Sequence, residues 1–108
     1  MKKNYDLILI IKGSMKENEA LEEYEKILEN FKYLTKYNIK GAGFKGKKTL
    51  AYNIKEETTG YFYEIIYSTT EERTANIVRN LRINDNIIKF INVKINEKEL
   101  KEYIKHGI

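Results

Sequence analysis

The sequence predicts an α+β domain of order βαββαβ: a four-stranded antiparallel sheet with two helices on one face, then a C-terminal extension. Three observations predict it. Segments rich in β-branched and aromatic residues recur at Tyr5–Lys12, Leu50–Ile54, Tyr61–Ser68 and Ile87–Ile95. Apolar residues at helical spacing fill the intervals after the first and third of them. No Pro-, Gly- or Ser-rich linker divides the 108 residues, and no internal repeat is visible. Residues 4–95 therefore form a single domain, and residues 96–108 an extension that is either flexible or a short helix.

In the first strand, Leu7, Leu9 and Ile11 share one face while Ile8 and Ile10 share the other. Gly13 breaks it. Ser14 and Glu17 have the spacing of a capping box, which predicts a helix start. Leu21, Tyr24, Leu28, Phe31 and Tyr37, with Ile27 and Leu34, supply that helix with an apolar stripe. Asn38–Gly43 ends it and opens the second strand, where Gly41, Gly43 and Gly46 weaken the strand signal. Leu50, Tyr52 and Ile54 then alternate with Ala51 and Asn53. Glu56–Gly60 reads as the turn into the third strand, in which Tyr61, Tyr63, Ile65 and Tyr67 share a face. Thr69 and Glu72 repeat the capping-box spacing, and Ala75, Val78 and Leu81 with Ile77 give the second helix its buried stripe. Asn84-Asp85-Asn86 turns into the fourth strand. In the extension, Leu100, Tyr103 and Ile104 have helical spacing.

Composition narrows function by exclusion. With no cysteine there is no disulfide, Cys-zinc site or thiol nucleophile. The one histidine, His106, lies three residues from the end, where fraying is the rule. No HExxH, GxSxG, Walker or GxGxxG pattern occurs. Gly41-Ala42-Gly43 with Lys45-Gly46-Lys47-Lys48 lacks P-loop spacing and leads into a strand, so no helix dipole is aimed at a phosphate. Glu56-Glu57 and Glu71-Glu72 are adjacent pairs in a turn and a helix start, where they serve structure. No enzyme, metal, cofactor or small-molecule substrate is expected. The apolar run Leu7–Ile11 is too short for a signal peptide or a membrane span, so no membrane partner is expected and a reducing cytoplasm suits the chain. The charge of +4 is a mild basic excess, compatible with a polyanion partner or with a solvated lysine-rich surface.

The first strand is apolar on both faces although both helices belong on one. Ile8, Ile10, Phe62 and Ile66 then line the open face of the sheet, as a protein interface or under the chain's own tail.

Four segments carry a family resemblance. They are Tyr5-Asp6; Gly46, Lys47, Lys48, Leu50, Ala51, Tyr52 and Ile54; Gly60-Tyr61-Phe62; and Leu81, Arg82, Ile83, Asp85 and Ile87. In this order and spacing, from about residue 4 to residue 95, the chain resembles the bacterial small-subunit ribosomal protein six (S-six) family. Asn53 and Gly13 stand where that family usually has proline. Lys48 stands where arginine is common, which loses a planar fork for phosphate, and Ile88 replaces a frequent basic residue before Lys89. The resemblance implies a ferredoxin-like fold and a structural place in the small ribosomal subunit. It also implies binding to the central domain of small-subunit rRNA together with ribosomal protein S-eighteen, with a C-terminal tail that is loose until that partner is present.

Affinity would come from counterion release as lysine and arginine neutralise phosphates, and selectivity from backbone shape and 2′-hydroxyls. The candidate RNA contacts are Lys2, Lys3, Tyr5, Lys47, Lys48, Arg79, Arg82 and Lys89. Arg79 has the alternative of pairing on its own helix, and Tyr5, which shares parity with Leu7, that of the core edge. Two other readings stay open. An RNA-recognition-motif protein has the same topology and stacks bases on its sheet, and Gly60, Tyr61 and Tyr63 echo its pattern. A regulatory or oligomerising domain would use the open face for itself or a metabolite.

Overall fold

A computed structural model describes residues 1–35 and 38–105, apart from the side chains of residues 34, 35 and 104. Tyr37 and His106, and the side chains of Leu34 and Ile104, lie outside the described residues. The elements are β1 (Lys3–Lys12), α1 (Glu17–Thr35), β2 (Ile39–Ile54), β3 (Glu57–Thr69), α2 (Glu71–Arg82), β4 (Ile87–Ile95) and α3 (Glu97–Lys105). The sheet order is β2-β3-β1-β4 with every neighbouring pair antiparallel, the ferredoxin-like arrangement.

Alternation sorts the strands into two faces. Tyr5, Leu7, Leu9 and Ile11 of β1, Tyr61, Tyr63, Ile65 and Tyr67 of β3 and Ile87 of β4 form one core with Ala20, Tyr24, Ile27 and Phe31 of α1 and Ile77 and Leu81 of α2. Aromatic rings organise it: Tyr24 stacks on Tyr63 with centroids 4.2 Å apart, and Phe31 meets Tyr67 edge-on at 5.0 Å. Two of the tyrosine hydroxyls at its border find acceptors. Tyr61 donates to the Met15 carbonyl at 2.9 Å and Tyr67 to Asn92 Oδ1 at 2.9 Å. Burial pushes the Tyr67 phenol up to about 12.

Several local expectations shift by a residue or a turn. Ser14 does not cap α1; its N–H and hydroxyl bind the Glu57 carboxylate, and the helix starts instead with Lys16 N–H donating to Glu19 at 3.1 Å. The cap of α2 is Thr70, which accepts from Arg73 N–H, because Thr69 is already committed to the end of β3. Leu21 is exposed, and Ala20 takes its place in the stripe of α1. In α2 the buried line is Thr74, Ile77 and Leu81, while Ala75 faces solvent.

The turn between β2 and β3 is shorter than expected. Lys55 and Glu56 alone make it, at φ of 49° and 66°, and Glu57–Gly60 belongs to β3. This is the sign pattern of a tight hairpin turn in which both central residues are left-handed. Upstream, the β2–β3 register slips between Phe44 and Gly46, and Gly46 has a φ of 107°. Lys45 is the extra residue of that bulge. Gly13 fits where proline would not: its N–H donates to the Thr59 carbonyl at 3.0 Å, and a Cβ there would strike Thr59.

Candidate nucleic-acid interface

The strand register decides which cations share a surface. Lys12 lies opposite Gly60, Gly60 lies opposite Lys48, and Lys89 lies opposite Ile10. These three lysines therefore leave the open face at one end of the sheet. The turn before β4 closes on the same end, with Lys12 N–H donating to the Asn86 carbonyl at 3.0 Å. Arg82, exposed on the last turn of α2, comes just before that turn. Arg79 is exposed one turn earlier and donates to Asn76 Oδ1 at 3.3 Å, so part of its fork is engaged on its own helix. Among the described residues, none of Lys12, Lys48, Arg82 and Lys89 forms an ion pair.

Lys47 and Lys48 are neighbours and so point to opposite sides of the edge strand β2. Lys47 Nζ sits 4.9 Å over the Tyr61 ring, and Lys48 Nζ sits 4.9 Å over Phe62. The two rings thus hold the two ammonium groups over β3, on opposite faces of the sheet. β2 carries Lys40, Lys45, Lys47 and Lys48 and no acidic residue, whereas α1 carries Glu17, Glu19, Glu22, Glu23, Glu25 and Glu29 against Lys26 and Lys32. The charge is thus segregated: the β2 edge is cationic and α1 acidic.

Lys2 and Lys3 stand at the other end. The 10 residues of β1 span roughly 30 Å at about 3.3 Å per residue. That is several screening lengths from Lys12, so the two ends act as separate charges. Near Lys3, Lys94 Nζ binds Glu71 at 2.6 Å, and that hydrogen bond lowers the Glu71 carboxyl and raises the Lys94 ammonium. Tyr5 is 4% exposed and stacks on Tyr67 at 5.3 Å. Its ring belongs to the core and offers no base a stacking surface.

The open-face quartet divides as well. Ile8 and Phe62 are half-buried there, but Ile10 is 6% exposed because it fills the space above Gly60. Ile66 is fully buried, with Ile95 and Leu100 of α3. Ile91 and Val93 lie opposite Ile8 and Asp6 and remain 47% and 49% exposed. Tyr61 and Tyr63 lie under the helices, so the sheet presents no RNA-recognition-motif aromatic pair to solvent.

Sequence reasoning passed over Lys12 and Lys45. Parity with Ile8 and Ile10 was the available signal for Lys12. No local signal marks Lys45, whose Nζ reaches Glu64 at 3.3 Å across the β2–β3 pair. Beside that pair, burial first and then Glu64 push the Asp6 carboxyl up to about 7. Asp6 Oδ1 is buried and has no hydrogen-bond partner among the described residues. No cluster of metal-ligating side chains and no helix long and apolar enough to cross a membrane occurs among the described residues.

The family described as Ribosomal protein S6 matches residues 4–94. The small ribosomal subunit protein bS6 of Campylobacter hominis is 31% identical over 111 residues, covering 98% of this chain and 74% of its own length. That of Sulfurovum sp. is 31% identical over 104 residues, covering 94% and 80%. The crystal structure of 30S ribosomal protein S6 from Thermotoga maritima shares the fold, with a TM-score of 0.83 at 20% identity over 94% of this chain and 95% of that one.

Proposed function

The chain belongs to the ribosomal protein S6 family, and from that premise we propose that it binds the central domain of small-subunit rRNA jointly with ribosomal protein S-eighteen. The protein is a structural, non-enzymatic constituent of the small ribosomal subunit, associated with rRNA on the cytoplasmic ribosome. The finer reading is supported above all by the cations at one end of the sheet that form no ion pair among the described residues, Lys12, Lys48 and Lys89, with Arg82 at the nearby end of α2 and Lys47 on the other side of β2. A row of ammonium groups across one end of a sheet would neutralise successive phosphates of a folded RNA and read its shape rather than its bases. Arg79 extends the row along α2. Lys2 and Lys3, at the far end, would meet a different RNA segment. The apolar strip of half-buried Ile8 and Phe62 with half-exposed Ile91 and Val93 would be the surface for S-eighteen.

The test is binding of the full chain to a central-domain rRNA fragment, with and without S-eighteen, across a salt series. Joint binding that weakens with salt is expected. Replacing Lys12, Lys48 and Lys89 together by alanine should flatten the salt slope by about 3, roughly one unit per lost phosphate contact. An unchanged slope in a variant with native circular dichroism would remove these lysines from the interface.

A further inference from the structure

We propose that Tyr52 is a stacking platform for one unpaired nucleobase of the bound RNA. The inference rests on the reading that the cationic end of the sheet binds RNA, and it adds one base contact to the phosphate contacts. Its starting point is a count along the outer hairpin. Thr49 lies opposite Thr59 and Ile54 opposite Glu57, so β2 uses four residues, 50–53, where β3 uses one, Thr58. The surplus residues have no ladder partner, and the edge strand departs there from regular alternation. Leu50 still packs over Gly60 beside Ile10, but Ala51, Tyr52 and Asn53 are exposed, Tyr52 by 67%.

The surroundings distinguish this ring from other tyrosines. Tyr5, Tyr24, Tyr61, Tyr63 and Tyr67 belong to the core. Tyr33 is more exposed still, at 82%, but stands on the acidic helix α1, whose glutamates repel a phosphate backbone. Tyr52 follows Lys48 by four residues, a span of at most about 14 Å even when fully extended. The register sets Lys48, Gly60 and Lys12 in line across the sheet. Among the described residues, the Tyr52 ring meets no other ring and its hydroxyl makes no hydrogen bond.

The segment is nonetheless held. Ile54 pairs with Glu57, whose carboxylate accepts from the N–H and hydroxyl of Ser14 at 2.8 and 3.1 Å. The Thr59 carbonyl accepts from Gly13 N–H. The β3 side of the hairpin is thus fastened to the turn after β1, and the β2 side is left open. A fixed aromatic face beside a row of cations suits an unpaired nucleotide: the charges hold its backbone and the ring takes its base, whichever base it is.

The chain has no tryptophan, so Tyr52→Trp places a single indole at the site. The experiment titrates the full chain with the central-domain rRNA fragment, S-eighteen present, and with a fully paired RNA duplex of matched length. The parent, titrated identically, gives the fluorescence background. Affinities and salt slopes are compared for the parent, Tyr52→Leu, Tyr52→Phe and Tyr33→Leu. Both positions are exposed, so the variants keep the fold, which circular dichroism checks.

The indole emission of Tyr52→Trp should be quenched as the fragment binds and stay unchanged with the duplex. Tyr52→Leu should bind the fragment about tenfold more weakly, within the range for one lost base–aromatic stack. Its salt slope should match the parent's, because no charge is removed. Tyr52→Phe, which keeps the ring, and Tyr33→Leu should bind as the parent does. Full affinity of Tyr52→Leu, an equal loss in Tyr52→Phe, or emission that the fragment leaves unchanged or the duplex quenches equally would each overturn the stacking role while leaving the RNA reading intact. So would weaker binding of S-eighteen by Tyr52→Leu in the absence of RNA, which would give the ring to a protein interface. No binding of the fragment by the parent would overturn the RNA reading and the stacking role with it.

Discussion

On the helix-covered face of the sheet, Leu7, Leu9, Ile11, Tyr63, Ile65 and Tyr67 are at most 1% exposed, while on the open face Ile8 and Phe62 are half-buried and Ile91 and Val93 half-exposed. The strands are the same and the residue types are similar. The difference lies in what covers them. Two long helices from the same chain seal one face, and a single short helix shields part of the other. An antiparallel sheet tolerates water on its second face, and apolar side chains left half-exposed there are what an interface would use.

Substitutions that remove the same number of atoms from the two faces should break this symmetry most visibly. Leu9→Ala removes a side chain from the sealed core and should cost about 3 kcal/mol, whereas Ile8→Ala, one residue away, should cost about 1 kcal/mol or less. Urea denaturation of both, with unchanged m-values, measures the contrast; equal losses would mean that the open face is as closed as the other. Next in size is Tyr67→Phe, which strands the Asn92 acceptor on the sealed face and should cost about 1–2 kcal/mol by the same assay.

Asp6→Asn sharpens the comparison through pH. The folded protein holds the Asp6 proton up to about 7, against an ordinary 3.8, chiefly because the carboxyl is buried and next because Glu64 adjoins it. The folded state therefore binds more protons than the unfolded one between those values, and the parent loses stability as pH rises from about 4 to about 7. The asparagine variant lacks that loss. It should be more stable than the parent by about 1 kcal/mol at pH 8, a figure discounted for the solvent that reaches the group, and equal to it near pH 4. A parallel pair of stability–pH curves would contradict this. Smallest of all, Val93→Ser should change stability by no more than about 0.5 kcal/mol, yet weaken S-eighteen binding measurably.

What the sequence made legible follows the range of the forces involved. Period-two alternation is a property of the strand itself, so it correctly placed Leu7, Leu9 and Ile11 together and Ile8 and Ile10 opposite them. The order of elements followed from the same signal. Helix caps slipped because tertiary partners outbid local ones: Glu57, 43 residues away, claims Ser14, and β3 claims Thr69. Burial depth on the open face was unreadable because it depends on Leu100 reaching Ile66 across the fold. The cationic end was half visible. Lys48, Arg82 and Lys89 stood in recognisable motifs, but only the antiparallel register joins them to Lys12 and separates them from Lys3.

The two left-handed residues at the tip of the β2–β3 hairpin bear on how fast the protein folds. Asparagine and glycine adopt such angles readily; Lys55 and Glu56 do so at a cost of about 1 kcal/mol each. A hairpin closed by reluctant residues does not nucleate at its turn. Its pairing must be seeded further down, where Phe44 meets Tyr63 with ring centroids 5.0 Å apart and Ala42 meets Ile65. Replacing Lys55-Glu56 by Asn-Gly should raise equilibrium stability but, if the nucleus lies in that lower half, should do so mainly by slowing unfolding, leaving the refolding arm of the chevron where it was.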